Sequence, residues 1–183
     1  EGIALFFGRL SKNKYFIKKY CKISEERAEE IGKELAKVLK FRELVFCRWS
    51  QVMFNFERKL YKNPDQDLNK LWWDLVKEYQ LIDFYRDKPD WASKIHLATS
   101  PVYYHNYLLG ELFASQLNNY IGKNILNTNT IDNLDYSDNK EIGDYLKNKI
   151  FGVGKKYQGD QMIKQATGEN LNPKYFVEQF VKE

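Results

Sequence analysis

The sequence predicts an all-α fold, a bundle of long helices. Three observations carry that expectation. Apolar residues recur every three or four positions and nowhere alternate convincingly, so the period is that of helices rather than strands. Only 4 prolines and 10 glycines interrupt 183 residues. Cap-like residues also stand where apolar runs begin, among them Ser24 and the Asn172-Pro173 pair.

Each element follows from the same reading. Residues 1–11 are apolar and aromatic in helical order, and residues 13–20 carry a second short helix or a continuation of the first. Ser24 then caps a long segment whose first turn is acidic, which complements the helix dipole. Its early half has one apolar stripe, Ala28, Ile31, Leu35, Val38 and Leu39. From Phe41 to Phe56 it is apolar on most sides, which predicts deep burial, with a break near Phe41. Asn63-Pro64-Asp65 is a turn signal, followed by a helix over 66–80. Residues 81–91 read as a loop, because Pro89 bars a helix just before it. A helix from about 101 to 121 opens on Ser100-Pro101, a capping hydroxyl followed by a ring preset to helical φ. Residues 118–139, rich in Asn, Thr and Asp, read as a loop around Gly122. Three helices close the chain, over 139–152, over 155–167 with a stop at Gly168, and from Asn172-Pro173 to the end. Gly152-Val153-Gly154-Lys155 lacks the full phosphate-loop pattern and reads as a turn.

Composition sets the limits. With 43% hydrophobic and 16% aromatic residues, the chain is globular and long enough for one real core. Residues 1–183 read as a single helical domain or subdomain. The net charge of +4 is spread among mixed signs, so no basic face for nucleic acid is expected. No apolar run is long enough to span a bilayer, so no membrane partner is expected. Cys21 and Cys47 form neither a disulfide framework nor a zinc knuckle and read as ordinary buried thiols. They leave the compartment open between cytoplasmic and periplasmic or secreted. The chain opens on E-G-I-A-L-F-F-G-R-L without an initiator Met, which reads as the middle of a buried helix and so as a piece of a longer protein. Apolar surface exposed at residues 3–7 would then allow the fragment to pair with itself.

The chemistry concentrates in Lys94 to Leu117, which holds both histidines. Tyr104 and Tyr107 stand three apart, and Tyr103 and Tyr107 four apart; either spacing puts two phenols on one helix face. Lys94 and His96 sit just upstream in a short non-helical approach. An ammonium, an imidazole and phenols converging on one spot suit a site for a carboxylate and a developing oxyanion. Tyrosines at helical spacing are more often core filler, and a lone histidine more often structural, so spacing alone does not assign the role.

Four pieces make the chain resemble the carboxy-terminal part of a group of zinc metallopeptidases. They are Y-H-N-Y-L-L-G-E-L-F (104–113), W-A-S-K-I-H (91–96), L-W-W-D-L-V-K-E-Y-Q (71–80) and the opening E-G-I-A. The group includes angiotensin-converting enzyme, thimet oligopeptidase and oligoendopeptidase F. The resemblance runs the length of the chain, and it implies the C-terminal half of a larger helical peptidase fold. It implies that Glu1 is the carboxylate ligand of a zinc ion and that Lys94 binds a substrate's terminal carboxylate. It implies that His96 hydrogen-bonds the peptide carbonyl, that Tyr107 stabilises the oxyanion and that Tyr104 is its partner phenol. Tyr103 competes for that last role, and His105 has no assigned role. A peptide substrate and a zinc cofactor follow, with oligopeptidase or peptidyl-dipeptidase-like cleavage.

The sequence departs from that pattern in one large respect. No H-E-x-x-H follows either His96 or His105, and one carboxylate cannot hold a catalytic zinc, which takes three protein ligands. The expectation is that this chain is the substrate- and transition-state-binding piece of a peptidase, inactive alone. The rival reading is a non-catalytic helical interaction module or a degenerate relative of the peptidases.

Overall fold

A computed structural model describes residues 1–182. Helices α1 (Gly2–Leu10), α2 (Lys14–Cys21), α3 (Glu25–Lys62) and α4 (Leu68–Gln80) are followed by a 3₁₀ turn at Asp90–Ser93. Then come α5 (Ile95–Thr99), α6 (His105–Asn124), α7 (Lys140–Leu146), α8 (Gly159–Thr167) and α9 (Lys174–Phe180). A wider π turn over Lys147–Phe151 extends α7. No strand occurs among the described residues, and no helix is long and apolar enough to cross a membrane. The all-α expectation holds. The chain divides into two compact units, one of residues 1–41 and 110–183, the other of residues 42–109.

The first unit is built on the apolar face of α6. Phe113, Ala114, Leu117 and Ile121 recur at helical spacing and are buried with Phe6, Ile142, Leu146, Ile150, Ile163 and Ala166. α1 lies close against α6 because neither has a side chain where they touch. A Cβ on Gly2 would come within 2.7 Å of the Phe113 ring, and one on Gly110 within 3.0 Å of the Gly2 nitrogen. The Arg9 guanidinium is buried here, 2.6 Å from the Glu111 carboxylate and 3.0 Å from the Ser115 hydroxyl. Asn118, expected in a loop, and Gln116, expected in the helix, both act as fasteners. Asn118 donates to the Ile131 carbonyl at 2.8 Å and accepts from the Tyr136 hydroxyl. Gln116 donates to Thr167 at 2.7 Å and accepts from the Asn172 amide at 2.9 Å. α6 therefore continues to Asn124, and the loop expected from 118 starts later. α8 begins at Gly159 rather than 155, and α9 ends at Phe180. Gly168 stops α8 in the left-handed conformation, as predicted. Of residues 3–7, Phe6 is buried and Ile3 and Leu5 pack on the core, leaving only Ala4 and Phe7 exposed. The apolar surface expected there is mostly covered.

In the second unit one face of α3 packs on α4. Val52, Met53 and Phe56 are buried with Trp72, Leu75 and Val76. The Phe56 and Trp49 rings each meet Trp72 edge-on, with centroids 5.2 and 5.6 Å apart. α4 starts where Asp67 accepts the Lys70 amide at 2.9 Å, close to the predicted residue 66.

α3 runs unbroken from Glu25, capped by the Ser24 hydroxyl at the Arg27 amide. No break occurs at Phe41, because the stretch holds no proline to remove a hydrogen bond and no glycine to loosen the backbone. Burial of Phe41–Phe56 is confined to one face. Phe41, Val45 and Phe54 are exposed, since a helix packed on one side buries one stripe whatever its composition. The thiols depart from expectation too. Cys21, in the last turn of α2, is exposed, and Cys47 is half-buried.

Candidate active site

The stretch from Lys94 to Leu117 folds differently from the expected single helix behind a non-helical approach. Lys94 is the N-terminal flanking residue of α5, and His96 lies within that short helix. Ser100 closes α5, its amide bonded to the His96 carbonyl at 3.0 Å, rather than opening the next helix. α6 starts only at His105. The cause lies at Val102, whose φ of 56° is left-handed, a costly conformation for a β-branched residue. The buried Glu57 carboxylate holds it there, accepting the Val102 amide at 2.5 Å. The amide that Ser100-Pro101 was expected to cap is thus taken by an acid from α3.

This turn brings five of the six predicted residues together within the second unit. His96 Nε2 lies 3.3 Å from the Tyr107 hydroxyl. The His96 ring meets Tyr104 edge-on at 4.9 Å and Tyr107 at 5.7 Å. Tyr104 and Tyr107 are 5.1 Å apart, as their three-residue spacing predicts. Tyr103 packs edge-on against Tyr107 at 5.6 Å but is more exposed than either. Lys94 Nζ lies over the faces of Trp49, at 5.4 Å, and Trp72, at 5.6 Å. The sixth residue, Glu1, belongs to the other unit. It is exposed, and its carbonyl accepts the Leu5 amide at the start of α1.

Lys94, His96, Tyr104 and Tyr107 are all half-buried, so an apolar floor carries polar groups that still reach solvent. Burial raises the Tyr104 phenol above the usual value, Tyr107 adds to this, and the Trp49 N–H donated to its oxygen at 2.8 Å works the other way. Such an arrangement can bind an anion at the ammonium and donate hydrogen bonds to an oxygen that gains charge.

Sequence reasoning missed Trp49 and Glu57. Trp49 stands 55 residues from Tyr104, and no periodicity joins them. Glu57 did leave a signal, a lone carboxylate following Val52–Phe56, since a charge on a buried face needs a partner. Among the described residues no three His, Cys, Asp or Glu side chains converge to hold a metal ion. The described residues therefore do not by themselves fit a catalytic metal site, which takes three protein ligands.

A model of the carboxypeptidase Taq (M32) metallopeptidase family matches residues 51–183. The chain belongs to that family. The match takes in Lys94, His96 and the three tyrosines, and leaves Glu1 and Trp49 outside. Carboxypeptidase 1 of Bacillus subtilis (strain 168) is 25% identical over 139 residues, which cover 74% of this chain and 27% of that protein. The chain thus spans under a third of the length of this curated relative. No solved structure gives a significant match. The family is one of metallopeptidases, as the resemblance implied, but of carboxypeptidases rather than the oligopeptidases and peptidyl-dipeptidases that the resemblance brought forward.

Proposed function

We propose that this chain supplies the substrate- and transition-state-binding groups of a zinc carboxypeptidase, a hydrolase that acts on the C-terminal end of peptides. The observation that carries the reading is the His96–Tyr107 contact of 3.3 Å, together with Lys94 on an aromatic corner whose Trp49 also bonds Tyr104. Lys94 and Tyr104, with Tyr103 flanking, hold the terminal carboxylate. His96 and Tyr107 donate to the scissile carbonyl as its oxygen becomes an oxyanion. Both donors are held before substrate arrives, so little reorganisation is needed at the moment of reaction. Carboxylate recognition beside the oxyanion donors is what cleavage at a chain end requires. Glu1 would be one carboxylate ligand of the zinc in the intact protein; the complete metal site takes residues this chain does not bring together.

The test compares the intact protein's kcat/KM for one peptide with a free C-terminal carboxylate and for the same peptide amidated. Lys94→Met should lower the value for the free acid by ~10–100-fold, the worth of a hydrogen bond to a charged group. The amide should be nearly unaffected, and the loss should appear in KM. An unchanged preference for the free acid would remove Lys94 from carboxylate binding.

A further inference from the structure

We infer that Trp49 is a positioning residue that fixes the direction of the Tyr104 hydroxyl proton, so that Tyr104 and Lys94 present protons to one and the same substrate carboxylate. The indole N–H is a donor only. At 2.8 Å from the Tyr104 oxygen, it obliges that oxygen to accept. A phenol has a single hydrogen, and that hydrogen cannot also lie along the same contact. It must turn to another acceptor. The Tyr104 ring cannot swing away to take a different partner, because His96 packs on it edge-on at 4.9 Å and Tyr107 lies at 5.1 Å.

The same indole carries Lys94. Trp49 and Trp72 cross at 83°, and the ammonium lies over both faces, 5.4 and 5.6 Å from their centroids. An aromatic corner favours the cation without consuming its hydrogens, because a ring face offers charge density rather than a lone pair. One side chain from α3 therefore sets a donor just ahead of α5 and a donor just ahead of α6. Both hold a proton available for an anion. A Phe in place of Trp49 would keep a ring face for Lys94 and lose only the N–H.

This inference rests on the carboxylate reading for its function, so the experiment has one arm that does not. In the intact protein, Trp49→Phe should reduce the free-acid over amide preference by about three- to tenfold. In a Tyr104→Phe background the same replacement should change it less than about twofold, because the hydroxyl through which it acts is gone. Equal losses in both backgrounds overturn the inference. The independent arm is the titration of Tyr104 followed by NMR of ¹³C-labelled tyrosine. Removing the N–H donor should raise its midpoint, and an unmoved midpoint overturns the inference. If Trp49→Phe fails to fold, the sulfur isostere of tryptophan, benzothienylalanine, replaces the N–H at constant shape and gives the same two readouts. A raised midpoint, with a preference that neither Lys94→Met nor Trp49→Phe alters, supports the orientation while refuting the carboxylate reading. Collapse of the preference in Lys94→Met, with Trp49→Phe silent in both arms, refutes the orientation alone.

Discussion

Both compact units bury aromatic, aliphatic and some polar residues, yet the polar groups of the candidate site are placed differently from the buried polar network of the other unit. In the unit of residues 1–41 and 110–183, Arg9, Glu111, Ser115, Gln116 and Asn119 are all buried. Arg9 reaches Glu111, Ser115 and Gln179, and Gln116 ties α6 to the α8–α9 connection. In the unit of residues 42–109, Lys94, His96, Tyr104 and Tyr107 stand half-exposed on a floor of Trp49, Phe56 and Trp72. The difference teaches how to separate scaffold from chemistry. A buried polar group surrounded by protein partners has its hydrogen-bonding capacity taken up, and its removal is felt as instability. A half-exposed group on an apolar floor keeps capacity for a ligand, and its removal is felt as lost binding or rate.

The sharpest way to break that contrast is in the first unit. Glu111→Ala removes the carboxylate that lies 2.6 Å from the buried Arg9 guanidinium and should cost about 3–5 kcal/mol. The check is the urea unfolding midpoint of the chain. Replacing both partners together, with Arg9→Met and Glu111→Leu, should recover much of that loss. A single-variant cost under about 1 kcal/mol would show that the buried pair does not hold the unit.

The matching variant in the second unit should do the reverse. Tyr107→Phe in the intact protein should lower kcat ~100–1,000-fold, the usual effect of removing one oxyanion donor. Its unfolding midpoint should hardly move, because Tyr107 is a half-exposed residue. A folded Tyr107→Phe protein of full activity would take Tyr107 out of the chemistry.

How much of this was legible in the sequence follows the same divide. Helices were legible because a buried stripe imposes its period on the residues, as at Phe113, Leu117 and Ile121. The Tyr104–Tyr107 pair was legible because three-residue spacing on a helix is a local property. Three features were not. The start of α6 was misplaced because Ser100-Pro101 is a valid local cap, and only Glu57, distant in sequence, decides that Val102 turns left-handed instead. The extent of burial along Phe41–Phe56 was overstated, since composition reports what a face tolerates and packing decides which face is covered. Trp49 was invisible because an indole donating across 55 residues leaves no pattern in either segment.

The smallest expected effect tests the first unit through its proton balance. Burial pushes the Tyr136 phenol well above its ordinary value, and its hydroxyl donates to Asn118 in the neutral form. In the unfolded chain the phenol ionises near pH 10. The raised group keeps its proton longer in the folded state, so its contribution is fully present below that pH. Above it, the unfolded chain releases a proton that the folded chain retains, and stability falls as pH rises. Tyr136→Phe should cost about 1 kcal/mol at neutral pH, the worth of one hydrogen bond. It should also flatten the alkaline decline, so the two unfolding midpoints converge between neutral pH and pH 11. Parallel midpoints over that range would mean that the Tyr136 phenol does not couple to folding, and that the buried polar network of this unit reaches no further than Asn118.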